Sequence, residues 1–240
     1  YGVSSCREPQ WVPESAVDQV DASDSEAVAK ITGDPGLLFL IDEEGTAVRV
    51  DRDTAIGFNQ TLVCAPTFRV RLDTIDNIAV TLIGPARVRW ESTTLSDDPV
   101  LRVEHGRMLL EATTKGADAE LVFLDSKLKL DFPTIETLAA FTVTHFRQPG
   151  FDPQNTDNHI FSMGVLVPQG TVELTASQPN SESTIASDLL TADAGRSEPE
   201  PVALKVGERW IKRGDKAGEV SPVDSAPDWT VDHRLCHHPV

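Results

Sequence analysis

The chain has 240 residues, of which 40% are hydrophobic and 25% charged, and its 38 Asp and Glu against 21 Lys and Arg give a net charge of −17. These values are typical of a soluble globular protein with one large β domain or two small ones. The negative charge argues against nucleic acid and anionic membranes as partners, because both are themselves negative. A basic protein patch or a divalent cation fits it better, although acidity can also serve solubility alone.

The chain begins at Tyr1 and carries no signal-peptide pattern and no apolar run near about eighteen residues. We therefore expect a processed product or an excised domain, with any signal or anchor outside this sequence. That expectation does not favour a cytoplasmic protein.

The first 35 residues are predicted to be a loop-rich segment packed on the domain. Ser23 or Ser25 precedes an Ala- and Val-containing run, so either could cap a short helix that ends near Ile31. The Gly and Pro residues of 33–36 would stop that helix.

From residue 37 the pattern favours strands. The apolar run 37–41 and the alternating run 46–50 flank a turn that ends at Gly45, which predicts a hairpin. Turn signals then recur every eight to twelve residues, as is typical of an antiparallel β-sandwich or β-roll and hence of an all-β fold. The further predicted strands are Thr61–Cys64, Thr67–Leu72, Asn77–Leu82, Ala86–Glu91, Val100–Glu104, Arg107–Thr113, Leu121–Leu124, Lys127–Leu130, Ala140–Phe146, Ile160–Val167, Thr171–Ala176 and Arg209–Lys212.

The stretch Ile78–Ala112 shows the clearest alternation of apolar and polar residues. Each run gives a strand one apolar and one solvated face. Gly84-Pro85 and His105-Gly106 interrupt the runs and are predicted to be turns. The apolar positions are Val80, Leu82, Val88, Trp90, Leu101, Val103, Met108 and Leu110.

Residues 148–159 are rich in Pro, Asn and Asp and are predicted to form a long exposed loop. The strands Ile160–Val167 and Thr171–Ala176 would then pair around Gly170, with Pro168 near a sheet edge or a strand end. Residues 177–240 are predicted to be a loop-rich segment packed on the same domain, with one short helix near 184–190 and irregular chain around Trp210 and Trp229.

Four segments of this β-rich region resemble the FecR-like domain: Gly84–Trp90, Leu101–Leu110, Phe141–Val143 and Val165–Leu174. They match its GPA strand, its first Gly-containing hairpin, its F-x-V strand and its final hairpin. The Gly-Thr-x-Phe motif that many members carry before the final hairpin is missing. The resemblance covers roughly residues 37–176 and makes 36–176 the predicted FecR-like domain.

The resemblance implies an extracytoplasmic all-β module, in the periplasm or on the cell surface, anchored to the membrane in the full-length protein. FecR itself relays a signal from an outer-membrane receptor to a sigma factor, so the partner would be a protein or an envelope polysaccharide. The matched residues Gly84, Gly106 and Gly170 form turns. The family pattern contains no catalytic residue, so the chain is predicted not to be an enzyme, with no catalytic, cofactor-binding or metal-ligating residue assigned.

Several polar clusters are candidate ligand sites. His233 and His237 would share a helix face suited to zinc, but Pro227 and Pro239 flank the segment, which favours a structural tail. The loop with Asp152, Asn155 and Asp157 lacks the order of a calcium-binding EF-hand, which favours a solvated loop. The remaining positions in these clusters are Asp232, Cys236 and His238 in the tail and Asp42, Glu43, Glu44, Asp51 and Asp53 elsewhere.

Enzyme motifs are equally weak. The order Ser162-Met163-Gly164 is not a nucleophile elbow, and no phosphate-binding glycine loop occurs. Distant carboxylate pairs for glycoside hydrolysis stay open, since an acidic β-rich chain always offers them.

Of the three cysteines, Cys6 and Cys236 are the pair that we expect to form a disulfide. Cys6 and Cys236 lie near opposite ends of the chain, and the termini of one domain are often close in space. Cys64 has apolar neighbours and is predicted to be a small buried residue.

The tryptophans are the basis of an alternative hypothesis, that the chain is a carbohydrate-binding or carbohydrate-active β-sandwich. Trp11, Trp210 and Trp229 lie outside the strand-rich centre and could line a sugar platform, although covering an end of the core is the commoner role of such residues. A purely structural envelope domain is the third hypothesis.

Overall fold

A computed structural model describes residues 27–41, 45–93, 96–147, 159–177, 200–214 and 216–231. Within these ranges the chain forms sixteen strands and one short helix, which confirms the predicted all-β class. The elements are β1 (Ala27–Ile31), β2 (Leu38–Ile41), β3 (Ala47–Arg49), β4 (Ala55–Gly57), β5 (Thr61–Cys64), β6 (Arg69–Thr74), β7 (Ile78–Thr93), β8 (Ser96–Ala112), β9 (Ala117–Phe123), β10 (Ser126–Phe132), β11 (Leu138–Arg147), β12 (His159–Gln169), β13 (Thr171–Ser177), β14 (Val202–Lys205), β15 (Glu208–Arg213), β16 (Glu219–Pro222) and α1 (Asp228–Val231).

All sixteen strands belong to one hydrogen-bonded sheet that folds over itself into two layers. Layer 1 has the order β4-β1-β6-β7-β8-β11-β12-β15-β16, and layer 2 has the order β3-β2-β5-β7-β8-β9-β10-β13-β14. The pairs are antiparallel except β8 with β9, which is parallel. The arrangement is a two-layer antiparallel β-roll.

Strands β7 and β8 join the two layers because each of them changes partners midway. The first half of β7 pairs with β6 and its second half with β5, and the change falls at Gly84-Pro85. The first half of β8 pairs with β9 and its second half with β11, and the change falls at His105-Gly106. Long strands that bend at such points form the corners of layered sheets.

The core lies between the two layers. The alternating positions predicted in Ile78–Ala112 all point into it, from Val80 to Leu110. On β8 the inward face changes from odd to even residue numbers after His105, because the irregular register there accommodates one extra residue. The period-two pattern therefore predicted the buried face of both strands.

The prediction of turns at Gly84-Pro85 and His105-Gly106 was wrong, because both pairs lie inside continuous strands. The two pairs meet across the β7–β8 ladder, where register is irregular between Ile83 and Arg87. Gly and Pro interrupt the apolar pattern at a bend as well as at a chain reversal, so the sequence alone does not separate the two cases.

Three further predictions need correction. Ala27–Ile31 is strand β1 and not the end of a helix, because Val28 and Ile31 are buried in a strand that pairs with β4 and β6. Strands β12 and β13 are not a hairpin: β12 pairs with β11 and β15 in layer 1, and β13 with β10 and β14 in layer 2. The region after residue 200 is also less irregular than predicted, since β14 and β16 accompany β15.

Other predictions hold. The hairpin of 37–41 with 46–50 is the β2–β3 pair. Strand β5 has the predicted bounds, and Pro168 lies next to the end of β12.

Charge is distributed unevenly along the sequence. The described ranges contain 18 of the 21 Lys and Arg but only 21 of the 38 Asp and Glu. The strand-rich body is therefore close to neutral, and most of the net negative charge of the chain belongs to the remaining segments.

Candidate functional site

Most of the polar clusters weighed from the sequence lie outside the described residues. They are the tail with Asp232, His233, Cys236, His237 and His238, the group Asp42, Glu43 and Glu44, the loop with Asp152, Asn155 and Asp157, the predicted helix 184–190, Trp11, and the proposed pair Cys6 and Cys236. In the described part of the chain, no three His, Cys, Asp or Glu side chains are grouped as a metal site.

Asp51 and Asp53 lie in the turn between β3 and β4. Asp53 has a positive φ of 65° and pairs with Lys30 at 3.6 Å, and the Asp51 carbonyl accepts a hydrogen bond from Thr54 Oγ1 at 2.8 Å. The Asp53 carboxylate and the Asp51 carbonyl therefore stabilise the turn.

Ser162, Met163 and Gly164 lie within strand β12, in regular ladders with β11 and β15. A nucleophile elbow needs a sharp turn from a strand into a helix, so these residues do not form one.

The described tryptophans are mostly core residues. Trp210 is 3% exposed and packs so closely on the backbone of Gly218 that a Cβ there would lie 2.1 Å from the indole ring. Trp229 is half-buried and covers the outer face of layer 1, with Arg107 positioned 5.8 Å above its ring. Neither Trp210 nor Trp90 can serve as a sugar platform, because both are buried.

Cys64 is buried, as predicted. Burial raises the pKa of its thiol to about 11, although a hydrogen bond from the Gly84 backbone opposes the shift. A thiol of this kind is a poor nucleophile near neutral pH.

The outer face of layer 2 carries a ladder of ion pairs. Arg87 binds Glu104 at 2.8 Å, and Glu91 is shared between Arg89 and Arg102. Burial opposes the ionisation of Glu91, but hydrogen bonds from Arg102 and Arg89 outweigh it and hold the pKa of this carboxyl below its usual value. These charged side chains pair with one another and are therefore less available to bind a ligand.

A small cleft opens between β9 and the β7–β8 pair. Its volume is about 20 Å³, which is enough for one water molecule. Apolar side chains, among them Trp90 and Leu101, line it beside Asp118 and Glu120. This cleft is too small for a ligand of ordinary size.

A different surface stands out at the ends of β11 and β12. The ladder between β11 and β8 ends at Val143, and that between β12 and β15 begins at Ser162. Residues 144–147 and 159–161 continue as a two-stranded ribbon, which we call the β11–β12 ribbon. The described backbone ladder between β11 and β8 does not continue along 144–147, although Glu104 and His105 of β8 remain close to His145.

The outer face of this ribbon carries two exposed apolar side chains. Phe146 and Ile160 are paired directly across the ladder and are 54% and 43% exposed. Side chains at such positions lie about 5 Å apart, so the two form one patch.

On the ribbon face opposite Phe146, four rings meet near one end of the core. Phe123 is buried, His105 and Phe161 are half-buried, and His145 is exposed. His145 contacts Phe161 with a centroid distance of 4.7 Å, and Phe123 of β9 lies 5.5 Å from Phe161 and 5.9 Å from His145. His105 of β8 lies 6.5 Å from His145. All four contacts are edge-to-face, the arrangement that aromatic rings prefer.

Hydrogen bonds complete this end of the core. The ring nitrogen Nε2 of His145 lies 2.8 Å from the Glu104 carbonyl oxygen, and its N–H donates the bond. Lys212, nearly buried, donates from Nζ to Ser126 Oγ at 2.9 Å and so links layer 1 to layer 2. The pKa of His105 is lowered mainly by burial and next by the positive charge of His145. The Glu104 carboxylate raises this pKa, whereas Arg87 lowers it.

Sequence reasoning predicted both strands but did not single out this patch. The alternation of side chains along β11 could have indicated it. Phe141 and Val143 face inward, and residue 146 is an odd number of positions from both, so Phe146 faces outward. Two exposed apolar side chains that are paired across a ladder form a candidate contact surface.

The chain was also compared with known proteins. No family model matches it, and no curated protein matches it. Two crystal structures of a proposed anti-sigma factor from Parabacteroides distasonis ATCC 8503, at 1.65 Å and 2.50 Å resolution, align with TM-scores of 0.41 and 0.40 at 12% and 13% identity. Each alignment covers 68% of this chain and 60% of the neighbour, and a likeness this weak carries no argument on function.

In the described ranges, no helix has the length and apolar character needed to cross a membrane.

Proposed function

We propose that this chain is an extracytoplasmic binding module that recognises a protein partner through the β11–β12 ribbon and acts without catalysis. The observation that carries the proposal is the exposed pair of Phe146 and Ile160 on a ribbon that extends beyond its sheet. The sequence resemblance to FecR-like domains supports a role in envelope signalling and an anchor outside this sequence.

The chemistry of the ribbon defines the partner segment. The open edge of 144–147 offers backbone groups to an added strand, the mode of recognition called β-augmentation. The apolar pair requires apolar residues at alternate positions of that strand.

A polypeptide fits this surface better than an envelope polysaccharide. Sugars bind to flat exposed aromatic rings with polar groups around them, whereas Trp210 is in the core. A Trp210→Ala exchange would therefore report on core packing and not on a sugar platform.

Photo-cross-linking tests the proposal. A photoreactive phenylalanine analogue is placed at Phe146, and at the control position Ile135, which is 58% exposed in the β10–β11 turn, in cells of the organism that encodes the chain. We expect a discrete cross-linked protein from position 146 and none from position 135.

The same partner then serves in a binding assay. The double exchange Phe146→Ser and Ile160→Ser should weaken binding about 30- to 700-fold, since each side chain contributes about 1–2 kcal/mol of apolar burial. Equal cross-linking at both positions, or cross-linking to glycan alone, would overturn the proposal.

A further inference from the structure

Three exposed aliphatic side chains lie at the end of the roll opposite the β11–β12 ribbon. Val206, Ile75 and Ile135 are 60%, 59% and 58% exposed, the highest values among the large hydrophobic residues that the structure describes. Each is in a different turn: Ile75 between β6 and β7, Ile135 between β10 and β11, and Val206 between β14 and β15. None of them belongs to an apolar cluster of the core or to the proposed contact of the ribbon.

The antiparallel ladders place the three turns at one end. Strands β7, β11 and β15 begin there, and β8 and β12 end there. These five strands are neighbours in layer 1 at about 4.8 Å a step, so the turns of Ile75, Ile135 and Val206 are spread along about 20 Å. The Thr113 amide donates to the Asn77 carbonyl at 2.9 Å and joins the β6–β7 turn to the next turn along this end.

Hydrogen bonds across the turns fix the positions of these side chains. Thr74 Oγ1 donates to the Ile78 carbonyl at 2.9 Å across the first turn, and the Lys205 amide donates to Glu208 Oε2 at 2.8 Å across the last. Exposed turn positions usually hold Gly, Pro, Asn, Asp or Ser, each for a conformational reason that β-branched apolar residues do not share. Apolar side chains that neither favour the turn nor pack in the core indicate a contact outside the chain.

We propose that Ile75, Ile135 and Val206 insert into the surface of an uncharged, zwitterionic phospholipid bilayer and hold this end of the roll on it. Strand β11 has 10 residues, so the far end of the ribbon then lies about 30 Å from the bilayer, where a protein partner can reach it. The three side chains bind weakly by themselves and serve as a second membrane signal beside a separate anchor.

A bilayer fits these separated side chains better than a protein partner does. Neighbouring turns are about 10 Å apart along the sheet edge. The binding energy of a protein interface is concentrated in a contiguous cluster that fills matching pockets. The apolar layer of a bilayer lies at one depth everywhere, so it needs no separate pocket for each side chain.

The chain also enters the described body at this end. Strand β1 begins at Ala27 and is antiparallel to β6, and the Val28 carbonyl accepts a hydrogen bond from the Ile75 amide at 3.1 Å. Residues 1–26 therefore join the body beside the first of the three turns. An anchor on that side of the sequence would bring this end of the roll to the membrane first.

The charges at this end select the kind of lipid. The charged residues of these turns, of their flanking positions and of the chain next to Val223 are Asp76, Lys115, Glu136, Lys205, Glu208 and Asp224. Acidic groups outnumber basic ones, so attraction to anionic headgroups does not contribute. Burial of the aliphatic side chains is the driving force, and uncharged lipid supplies it without repulsion.

Partition of the full chain onto phosphatidylcholine vesicles tests the inference. One acyl chain attached at the N-terminus gives marginal, reversible binding, which makes a second contribution measurable. The triple exchange Ile75→Ser, Ile135→Ser and Val206→Ser should lower the partition coefficient about tenfold or more, because three inserted side chains lose apolar burial. Leu124→Ser is the matched control: Leu124 is 50% exposed in the β9–β10 turn at the opposite end, and its exchange should leave the coefficient unchanged.

A solvatochromic amino acid at position 135 or 124 of the otherwise natural chain locates the contact. Vesicles should shift its emission to the blue at position 135 and leave it unchanged at position 124. The absence of a shift at position 135 overturns the proposal with no serine variant needed, and so does equal partition of the natural chain and a folded triple variant.

Two further measurements separate this contact from other ways of binding a membrane. The double exchange Phe146→Ser and Ile160→Ser should keep the natural partition coefficient, and a loss as large as that of the triple variant would overturn the proposal by assigning the contact to the ribbon. Replacing part of the lipid by anionic phosphatidylglycerol should not raise the coefficient, and a rise would contradict insertion into uncharged lipid. No protein partner is present, so the inference is tested separately from the proposed function.

Discussion

At the scale of single residues, two glycines decide how the long strands can bend. A Cβ at Gly84 would lie 1.8 Å from the carbonyl oxygen of Ala65, and a Cβ at Gly106 would lie 2.6 Å from Cα of Ala86. Gly106 also has a φ of 122°, which other residues avoid. The corner between the layers therefore requires close backbone approach at both positions.

We predict that Gly84→Ala destabilises the fold by about 3 kcal/mol or more, because the added methyl group meets backbone that cannot move aside. Gly116→Ala is the matched control: its Cβ meets no atom within 4 Å, and its positive φ alone costs about 1 kcal/mol. Urea unfolding monitored by tryptophan fluorescence measures both. If Gly84→Ala lowers the free energy of unfolding by no more than Gly116→Ala does, the corner tolerates a side chain.

The same residues show where sequence reasoning stops. The Gly-Pro and His-Gly pairs were recognised as interruptions of an alternating pattern, and the apolar positions on both sides of them are buried as predicted. Whether an interruption reverses the chain or bends it depends on which strands lie beside it. Those neighbours, β5 and β6 for β7, come from elsewhere in the chain.

At the scale of elements, the C-terminal strands and helix complete layer 1 in two ways. Strand β15 inserts Trp210 into the core, whereas the chain around α1 places Trp229 and Val223 on a second apolar cluster on the outer face of layer 1. That cluster contains Ile83, Leu109, Leu138, Ala140 and Leu166. Irregular chain can therefore bury a sheet face that would otherwise be exposed.

The two tryptophans should differ in their contributions. Trp210→Ala should lower the free energy of unfolding by about 3–5 kcal/mol, because it leaves a large cavity between the layers. Trp229→Ala should cost about 1–2 kcal/mol, since the indole and its partner Arg107 are both only half-buried. Chemical denaturation compares them, and equal losses would mean that the outer cluster is as tightly packed as the core.

The β11–β12 ribbon shows how far a functional site can be predicted from the sequence. The predicted strands Ala140–Phe146 and Ile160–Val167 contain most of it, and the sequence predicts an exposed loop between them at 148–159. Only pairing reveals that β8 and β15 both stop short of the ribbon end, which exposes Phe146 and Ile160 on one face and gathers the four rings on the other.

At the scale of the whole molecule, the two layers share one core. The principal apolar cluster includes Leu38 of β2 and Leu204 of β14, strands that lie at opposite ends of layer 2. The edge strands β3, β4, β14 and β16 are only three or four residues long, and charges such as Arg49 and Lys205 and the residue Pro222 accompany them. Short, charged edges are a common protection against sheet-to-sheet aggregation.

A shared core predicts a single cooperative unfolding transition. Leu38→Ala and Leu204→Ala, both at fully buried positions, should each destabilise that one transition by about 2–5 kcal/mol, whereas Val206→Ala at a 60% exposed position should change it by less than about 0.5 kcal/mol. Far-ultraviolet circular dichroism and tryptophan fluorescence should give coincident curves. Two separate transitions, each sensitive to one leucine, would show that the ends of the roll fold independently.

The sequence by itself determined the all-β class, the bounds of most central strands and the inward face of each, because burial on one side of a strand imposes a period of two on adjacent residues. The tertiary structure decided the rest: that Ala27–Ile31 is a strand, that β12 and β13 lie in different layers, that the interruptions at Gly84 and Gly106 are bends, and that four rings meet at the ribbon. The physical reason is that strand pairing joins residues far apart in the chain, and no local pattern specifies the partner.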